Sequence, residues 1–342
     1  MTKKNKIFKT IQERAKGFYD RRLSSKDKRR PLVNKFKSFG VNAVKYLLLY
    51  GLSFIIIYPL LQQISISLRA PTDLNNPLVL WIPMEFSFDN LKVAIQVLDY
   101  WKSLGTTAMV SLIVTALQLF VTSLVGYSIA RIKFPGHKIV FLIVIFTIII
   151  PPMTIELPLK ISFMNFLGTG KNLLGSPVIL YIFAATGMGV KAGIFIYLFR
   201  QFFKGIPIEL EEAAIIDGAN PFQVFFRVML PNAIGAIILT TILTFVWQWN
   251  DSYYTFQYVA SVKDNFNTLT TKMMGVSQNI HEAIQNAGVL KLFGQDVSKN
   301  PLFTSMILNT SAILVMIPLI IIYMLVQKRL FTEGVERSGI VG

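Results

Sequence analysis

An all-α, polytopic membrane protein with six transmembrane helices is the fold this sequence predicts, and three observations predict it. Hydrophobic residues make up 53% of the 342 and charged residues only 15%, whereas an ordinary soluble domain holds roughly 45–50% apolar and 25% charged residues. The apolar residues gather in six runs, each about as long as the roughly 20 residues that a helix needs to cross a bilayer core about 30 Å thick. The 34 Lys and Arg, set against 18 Asp and Glu, are concentrated in short stretches between those runs. That pattern reads as membrane topology, not as a nucleic-acid surface.

The runs cover residues 46–68, 104–129, 139 to about 158, 178–199, 233 to about 254, and 302–326. They are continuously apolar, without the alternation a lipid-exposed β-barrel requires, so the spans are helices. Residues 1–45 carry 15 Lys and Arg against Glu13, Asp20 and Asp27, which assigns that end to the cytoplasm. No secretory leader is legible in so charged a stretch, and the first span is expected to be retained. The loop of residues 131–138, with Arg131, Lys133, Lys138 and no acid, then falls inside, and alternation puts residues 200–232 inside as well. Lys328, Arg329 and Arg337 leave the C-terminus cytoplasmic too.

Two regions emerge: a basic N-terminal extension over 1–45 and a six-helix membrane domain over 46–342. Within the extension, Ile7, Ile11, Ala15 and Phe18 fall on one helical stripe among basic residues, consistent with an amphipathic helix on an anionic leaflet or with a solvated tail. The basic run 26–30 followed by Pro31 predicts a break before the first span. External loops over about 69–103 and 255–301 carry Trp81, Phe86 and Phe88 in the first and a helical-looking stretch over 270–292 in the second. They are long enough either to dock a partner or simply to cap the bundle.

The most informative segment is the cytoplasmic loop at about 205–231. Ile208–Ile216 favours a helix, with Glu209, Glu211 and Glu212 in its first turns where they complement the dipole. Gly218 suits a left-handed C-terminal cap, Asn220 an N-cap and Pro221 the first position of a second helix. That second helix aligns Phe222, Phe225, Phe226 and Met229 at i, i+3, i+4 and i+7, and Pro231 is expected to stop it. The result is a sharply bent helix pair with an apolar stripe that needs cover from the bundle or from another protein.

Glu212-Ala213-Ala214, then Gly218, then after nine residues Val228-Met229-Leu230-Pro231 resembles the EAA loop of binding-protein-dependent ABC importer permeases, departing only by Val228 for Ile. Ala130-Arg-Ile-Lys-Phe-Pro-Gly136, Phe86-Ser-Phe-Asp-Asn-Leu91, Trp249-Asn250-Asp251 and the glycine-ended tail resemble segments of the maltose-type sugar branch. The resemblance, which covers about 46–342, implies a type I importer permease fold in a bacterial inner membrane. It also implies a second permease subunit, two cytoplasmic ATPase subunits and an extracellular solute-binding protein. In such families the EAA helices dock into the ATPase, whose closure on ATP swings the membrane helices. ATP and Mg would be bound there, with no cofactor in this chain; the nearest phosphate-loop match, at 168–172, lacks the first Gly and the final Ser or Thr.

Along the pathway, Lys191 is the one charge deep within a run, where a lysine costs about 2.5 kcal/mol or more on insertion scales and so faces the interior. It hints at an acidic saccharide or is paired internally. Gly189 and Gly193 form a close-packing G-x-x-x-G spacing, and Pro151-Pro152 should break the third span. Trp247, Trp249, Asn250, Asp251 and Tyr253 form an aromatic and polar cluster fit either for sugar stacking or for the membrane interface. With no cysteine and with His137 and His281 far apart, catalysis and metal binding have no constellation. An ion-coupled secondary transporter and a permease for a non-sugar solute remain the alternatives.

Overall fold

A computed structural model of the chain describes residues 12–14, 16–17, 26–70, 73, 76, 79, 81–261, 266–278, 280–286 and 300–336. The chain forms two compact units, Met1–Gln63 and Ile64–Gly342.

Helix α1 (Lys26–Ser67) dominates the first unit and runs through Pro31 without the expected break. Pro31 lies within the first two turns, where losing one backbone hydrogen bond is tolerated more easily than mid-helix. Its apolar side chains, Leu47, Leu52 and Ile56 among them, are exposed, a surface suited to lipid or to another membrane helix. The amphipathic stripe from Ile7 to Phe18 lies outside the described residues, although 12–14 and 16–17 are helical.

The second unit is all helix among the described residues, with one isolated bridge pairing Arg69 with Phe86. That bridge folds the loop between the first two apolar runs. Asp73 Oδ2 accepts the Met84 and Glu85 N–H groups at 2.9 and 3.1 Å, and Asn90 Nδ2 donates to the Arg69 carbonyl at 2.6 Å. α2 (Asp89–Val97) follows; hydrogen bonds from Lys92 Nζ and Ser87 Oγ hold the Asp89 carboxyl below the usual carboxylate range.

The axis of the unit is α3 (Tyr100–Arg131), one unbroken helix of 32 residues. Its buried face reads Ser103, Thr107, Ser111, Thr115, Gln118, Thr122 and Gly126, a column of small and polar residues at three- and four-residue spacing. Without a hydrophobic drive between helices in lipid, small side chains bring backbones into van der Waals contact. Several hydroxyls turn inward, as Thr107 Oγ1 does to the Ser103 carbonyl at 2.6 Å and Thr122 Oγ1 to that of Gln118 at 2.7 Å. A Cβ on Gly126 would lie 2.6 Å from Phe199 Cβ.

Two of the six expected spans are interrupted, and the fifth is entered through a sharp bend. α4 (His137–Ile149) ends before Pro151-Pro152, and the chain turns 105° into Pro152–Gly168, which contains α5 (Glu156–Met164). The fourth span, expected to be continuous, is two helices, α6 (Val178–Ala185) and α7 (Ala192–Gly205). Between them Gly187 has φ +73° and Lys191 φ +57°, left-handed values that no helix accommodates. The helix pair comprises α8 (Ile208–Ile216) and α9 (Pro221–Val224); a π-turn over Phe225–Met229 and an α-helical turn over Leu230–Asn232 carry the chain to an 81° bend into α10 (Ile234–Trp249). Pro231 therefore sits inside the last turn and the helix ends two residues later than expected. α11 (Leu269–Gln278) and α12 (Ile280–Asn286) occupy the loop between the last two apolar runs, and α13 (Pro301–Glu336) provides the last span. Counting each bent pair as one span, five crossings meet the length and hydropathy of a membrane helix among the described residues. The broken α6–α7 segment occupies the fourth apolar run.

Candidate functional site: the bent helix pair and the broken spans

The bend between α8 and α9 is built from local rules. Gly218 adopts φ +84°, its N–H bonds to the Ile215 carbonyl at 3.0 Å, and the Ala219 N–H reaches back to Ala214 at 3.0 Å. This closes α8 in a Schellman motif. Asn220 then opens α9 with a capping box: its Oδ1 accepts the Gln223 N–H and its own N–H donates to Gln223 Oε1, both at 2.9 Å, with Pro221 first in the helix.

The apolar stripe expected across Phe222, Phe225, Phe226 and Met229 is divided. Phe225 and Met229 retain 1% and 0% of their surface, packed with Val224, Tyr127, Phe199 and Phe203 in one of the chain's own hydrophobic cores. The Phe225 ring lies 5.2 Å from Tyr127 and 6.2 Å from Phe203. Phe222, 67% exposed, and Phe226 stay outside. The stripe is about 100° wide on a helical wheel, with Phe225 and Met229 on one flank and Phe222 and Phe226 on the other, so only the first flank meets the core. The outward apolar surface comes largely from α8 instead: Ile208, Leu210, Ile215 and the 85% exposed Ile216. Glu212, Ala213 and Pro231 are exposed, while Ala214 and Leu230 contribute partly to the core beneath.

The pair is fastened to the membrane bundle by residues that motif spacing did not single out. Tyr127 OH donates to Glu211 Oε1 at 2.8 Å and Arg131 Nε stands 3.5 Å from Glu211 Oε2. Arg131 Nη2 also donates to the carbonyl of Ile206, the residue capping α7. Arg131 occupies the second position of the Ala130 to Gly136 segment and Glu211 directly precedes the Glu212-Ala213-Ala214 triplet. Two sequence motifs thus meet in space through these residues, a signal visible only as two separate resemblances.

The pathway residues disperse. Lys191 lines a cavity of about 230 Å³ with Thr147, Pro152, Gly187, Gly189 and Tyr254, between the breaks of the third and fourth spans. Gln118 supports this break from α3, its Nε2 donating to the Val190 carbonyl at 2.8 Å. Any Cβ at Gly189 would collide with the Gln118 side-chain oxygen. Gly193 is where α7 meets α4, its Cβ position being 2.6 Å from Thr147 Oγ1. Since Gly189 lies in the break and Gly193 in α7, the G-x-x-x-G spacing does not form one helical face.

Two members of the Trp247 to Tyr253 cluster are occupied by the fold. Trp249 keeps 2% of its surface and donates to the Val315 carbonyl at 3.2 Å. Asp251, also buried, accepts from Thr255 N–H at 2.8 Å and from its hydroxyl at 2.7 Å. Trp247 packs on Phe195 at 5.3 Å, Asn250 Nδ2 donates to Val246 at 2.9 Å, and Tyr253 OH donates to Glu156 Oε2 at 2.6 Å. Glu156 in turn accepts from Lys160 at 2.7 Å, joining α5 to the segment after α10.

Residues 122–332 match the family described as binding-protein-dependent transport system inner membrane component. The chain belongs to this family. Its members are transport subunits of ABC importers, not enzymes. A relative is the arabinooligosaccharides transport system permease protein AraQ of Halalkalibacterium halodurans, 27% identical over 299 residues, covering 85% of this chain and 93% of that protein. Another is the maltodextrin transport system permease protein MalD of Streptococcus pneumoniae, 24% identical, covering 89% and 97%. The fold is similar to a bacterial ABC transporter involved in the import of the acidic polysaccharide alginate, with TM-score 0.66, 21% identity, and 85% and 96% of the two chains covered. The permease is therefore an all-α, multi-pass subunit of an ABC importer, a family placed in the inner membrane and assembled with further permease, ATPase and binding-protein components.

Proposed function

We propose that this permease subunit translocates a sugar or oligosaccharide delivered by an extracellular solute-binding protein. A pair of cytoplasmic ATPase subunits drives it through the α8–α9 pair, and a second, non-identical permease subunit completes the path. Both termini lie in the cytoplasm. The observation that carries the coupling role is the bent pair itself, stabilised by its own caps while leaving Ile215, Ile216 and Phe222 uncovered. An apolar knob of this kind outside the membrane calls for a protein groove. The saccharide class is supported by the permeases named above and by the alginate importer, whose fold this chain shares. The test is affinity purification of the detergent-solubilised protein with Ile216→Cys carrying a short crosslinker. Crosslinking to an ATPase subunit is expected; recovery of the permease with no ATPase would overturn the proposal.

A second reading concerns the charge of the substrate. Lys191 presents a cation at the cavity between two broken spans, an arrangement by which transporters meet anionic groups on their substrates. Lys191→Met should lower uptake of acidic oligosaccharides about tenfold, the equivalent of one lost charge-assisted hydrogen bond, and leave neutral ones unchanged. Equal effects on both classes would remove this reading.

A further inference from the structure

The coupling pair does not merely rest under the bundle; it is tied to one particular helix by a cluster that its packing does not require. Glu211 lies in the first turn of α8 and receives the Tyr127 hydroxyl at 2.8 Å, while the Arg131 guanidinium stands at 3.5 Å on its second oxygen. Arg131, the last residue of α3, also binds the carbonyl of Ile206, in the two-residue link between α7 and α8. The Arg131 and Glu211 side chains are only 10% and 15% exposed, so water screens the pair weakly and replaces its hydrogen bonds poorly. Tyr127 stands on the aromatic core formed with Phe203 and Phe225, at 5.6 and 5.2 Å, which fixes where its hydroxyl points.

α3 is also the helix that packs against α6, α7 and α10, and through Gln118 it holds the break beside Lys191. It is continuous from the external side to the cytoplasmic cluster. A force applied to α8 therefore has a rigid element to act on, and the attachment is polar and directional where the surrounding contacts are apolar and free to slide.

We propose that Tyr127, Glu211 and Arg131 form a latch that makes α8 and the cytoplasmic end of α3 move as one body, so that displacement of the coupling pair reaches the broken spans. These are positioning residues that act through α8 and touch neither nucleotide nor substrate. The inference rests on the coupling role proposed above. A latch makes a demand that packing alone does not: its loss leaves the ATPase engaged and turning over while transport per ATP declines.

The test uses the complete importer in proteoliposomes, with binding protein and substrate present, reading ATP hydrolysis and substrate accumulation together. Glu211→Ala should reduce substrate moved per ATP by about tenfold, the scale of one hydrogen bond to a charged group, with hydrolysis retained. Glu211→Gln, which keeps an acceptor for Tyr127, should recover part of the ratio. Tyr127→Phe preserves the ring contacts and removes only the hydroxyl; it should lower the ratio as well and decides the matter if Glu211→Ala fails to assemble. A wild-type ratio in Tyr127→Phe overturns the latch, as does equal loss of hydrolysis and transport in assembled Glu211→Ala. Failure of the underlying coupling proposal looks different, because the wild-type permease would then show no ATP-dependent uptake at all.

Discussion

At the scale of single residues, backbone conformation at two positions carries more than side-chain chemistry does. Gly218 holds φ +84° with nothing within 4 Å of where a Cβ would stand, so a substitution there meets no clash and is penalised only through the left-handed backbone. For a β-branched residue that penalty is about 1–2 kcal/mol or more. Gly218→Val should therefore straighten or fray the α8–α9 bend and leave ATP hydrolysis running without transport, whereas normal accumulation in that variant would show the bend to be dispensable. Gly218 was legible because a Schellman cap, an N-cap and an N1 proline are local rules written within a few residues. Glu211 and Arg131 were not, since the 79 residues between them say nothing of proximity and only the fold joins them. Trp249 misled for the opposite reason: an aromatic beside Asn and Asp at a span end has the composition of a sugar platform, yet a carbonyl at Val315 claims its N–H.

At the scale of elements, the small and polar column of α3 explains how a helix of 32 residues comes to be the hub. Hydropathy registers these residues as ordinary members of an apolar run, and the spacing of Ser, Thr and Gly becomes meaningful only when neighbours are seen to fill it. Gly126 is the tightest point, its Cβ position being 2.6 Å from Phe199 Cβ and 3.1 Å from the Arg200 backbone nitrogen. Gly126→Val should push α7 off α3 at a cost of about 1–3 kcal/mol, as overpacking does elsewhere. Thermal unfolding of the purified protein in detergent should record this as a lowered midpoint, and an unchanged midpoint would mean that α7 shifts freely. The apolar runs located the helices of the membrane domain, but not the interruption of the fourth run or the split of the phenylalanine stripe. The first depends on a single backbone event, a left-handed lysine, and the second on where the edge of the core crosses the stripe.

For the whole molecule, the charge distribution of the loops and the apolar runs sufficed to propose six crossings and an orientation, because the bilayer constrains topology more severely than water constrains a soluble fold. The orientation is directly checkable. The chain has no cysteine, so single Cys replacements report without background. Thr169→Cys, in an exposed turn that the proposed orientation puts outside, should react with an impermeant maleimide on intact cells, and Ile216→Cys only after permeabilisation; the reverse pattern would invert the topology. The interruptions at Pro151, at Gly187 to Lys191 and at Ala233 also divide the protein into backbone that is sealed and backbone that is open. Amide deuteration should follow that division, slowest along the middle of α3 and fastest where each helical ladder is cut. The three fast zones would then mark, in isotope uptake alone, the joints about which this permease is able to bend.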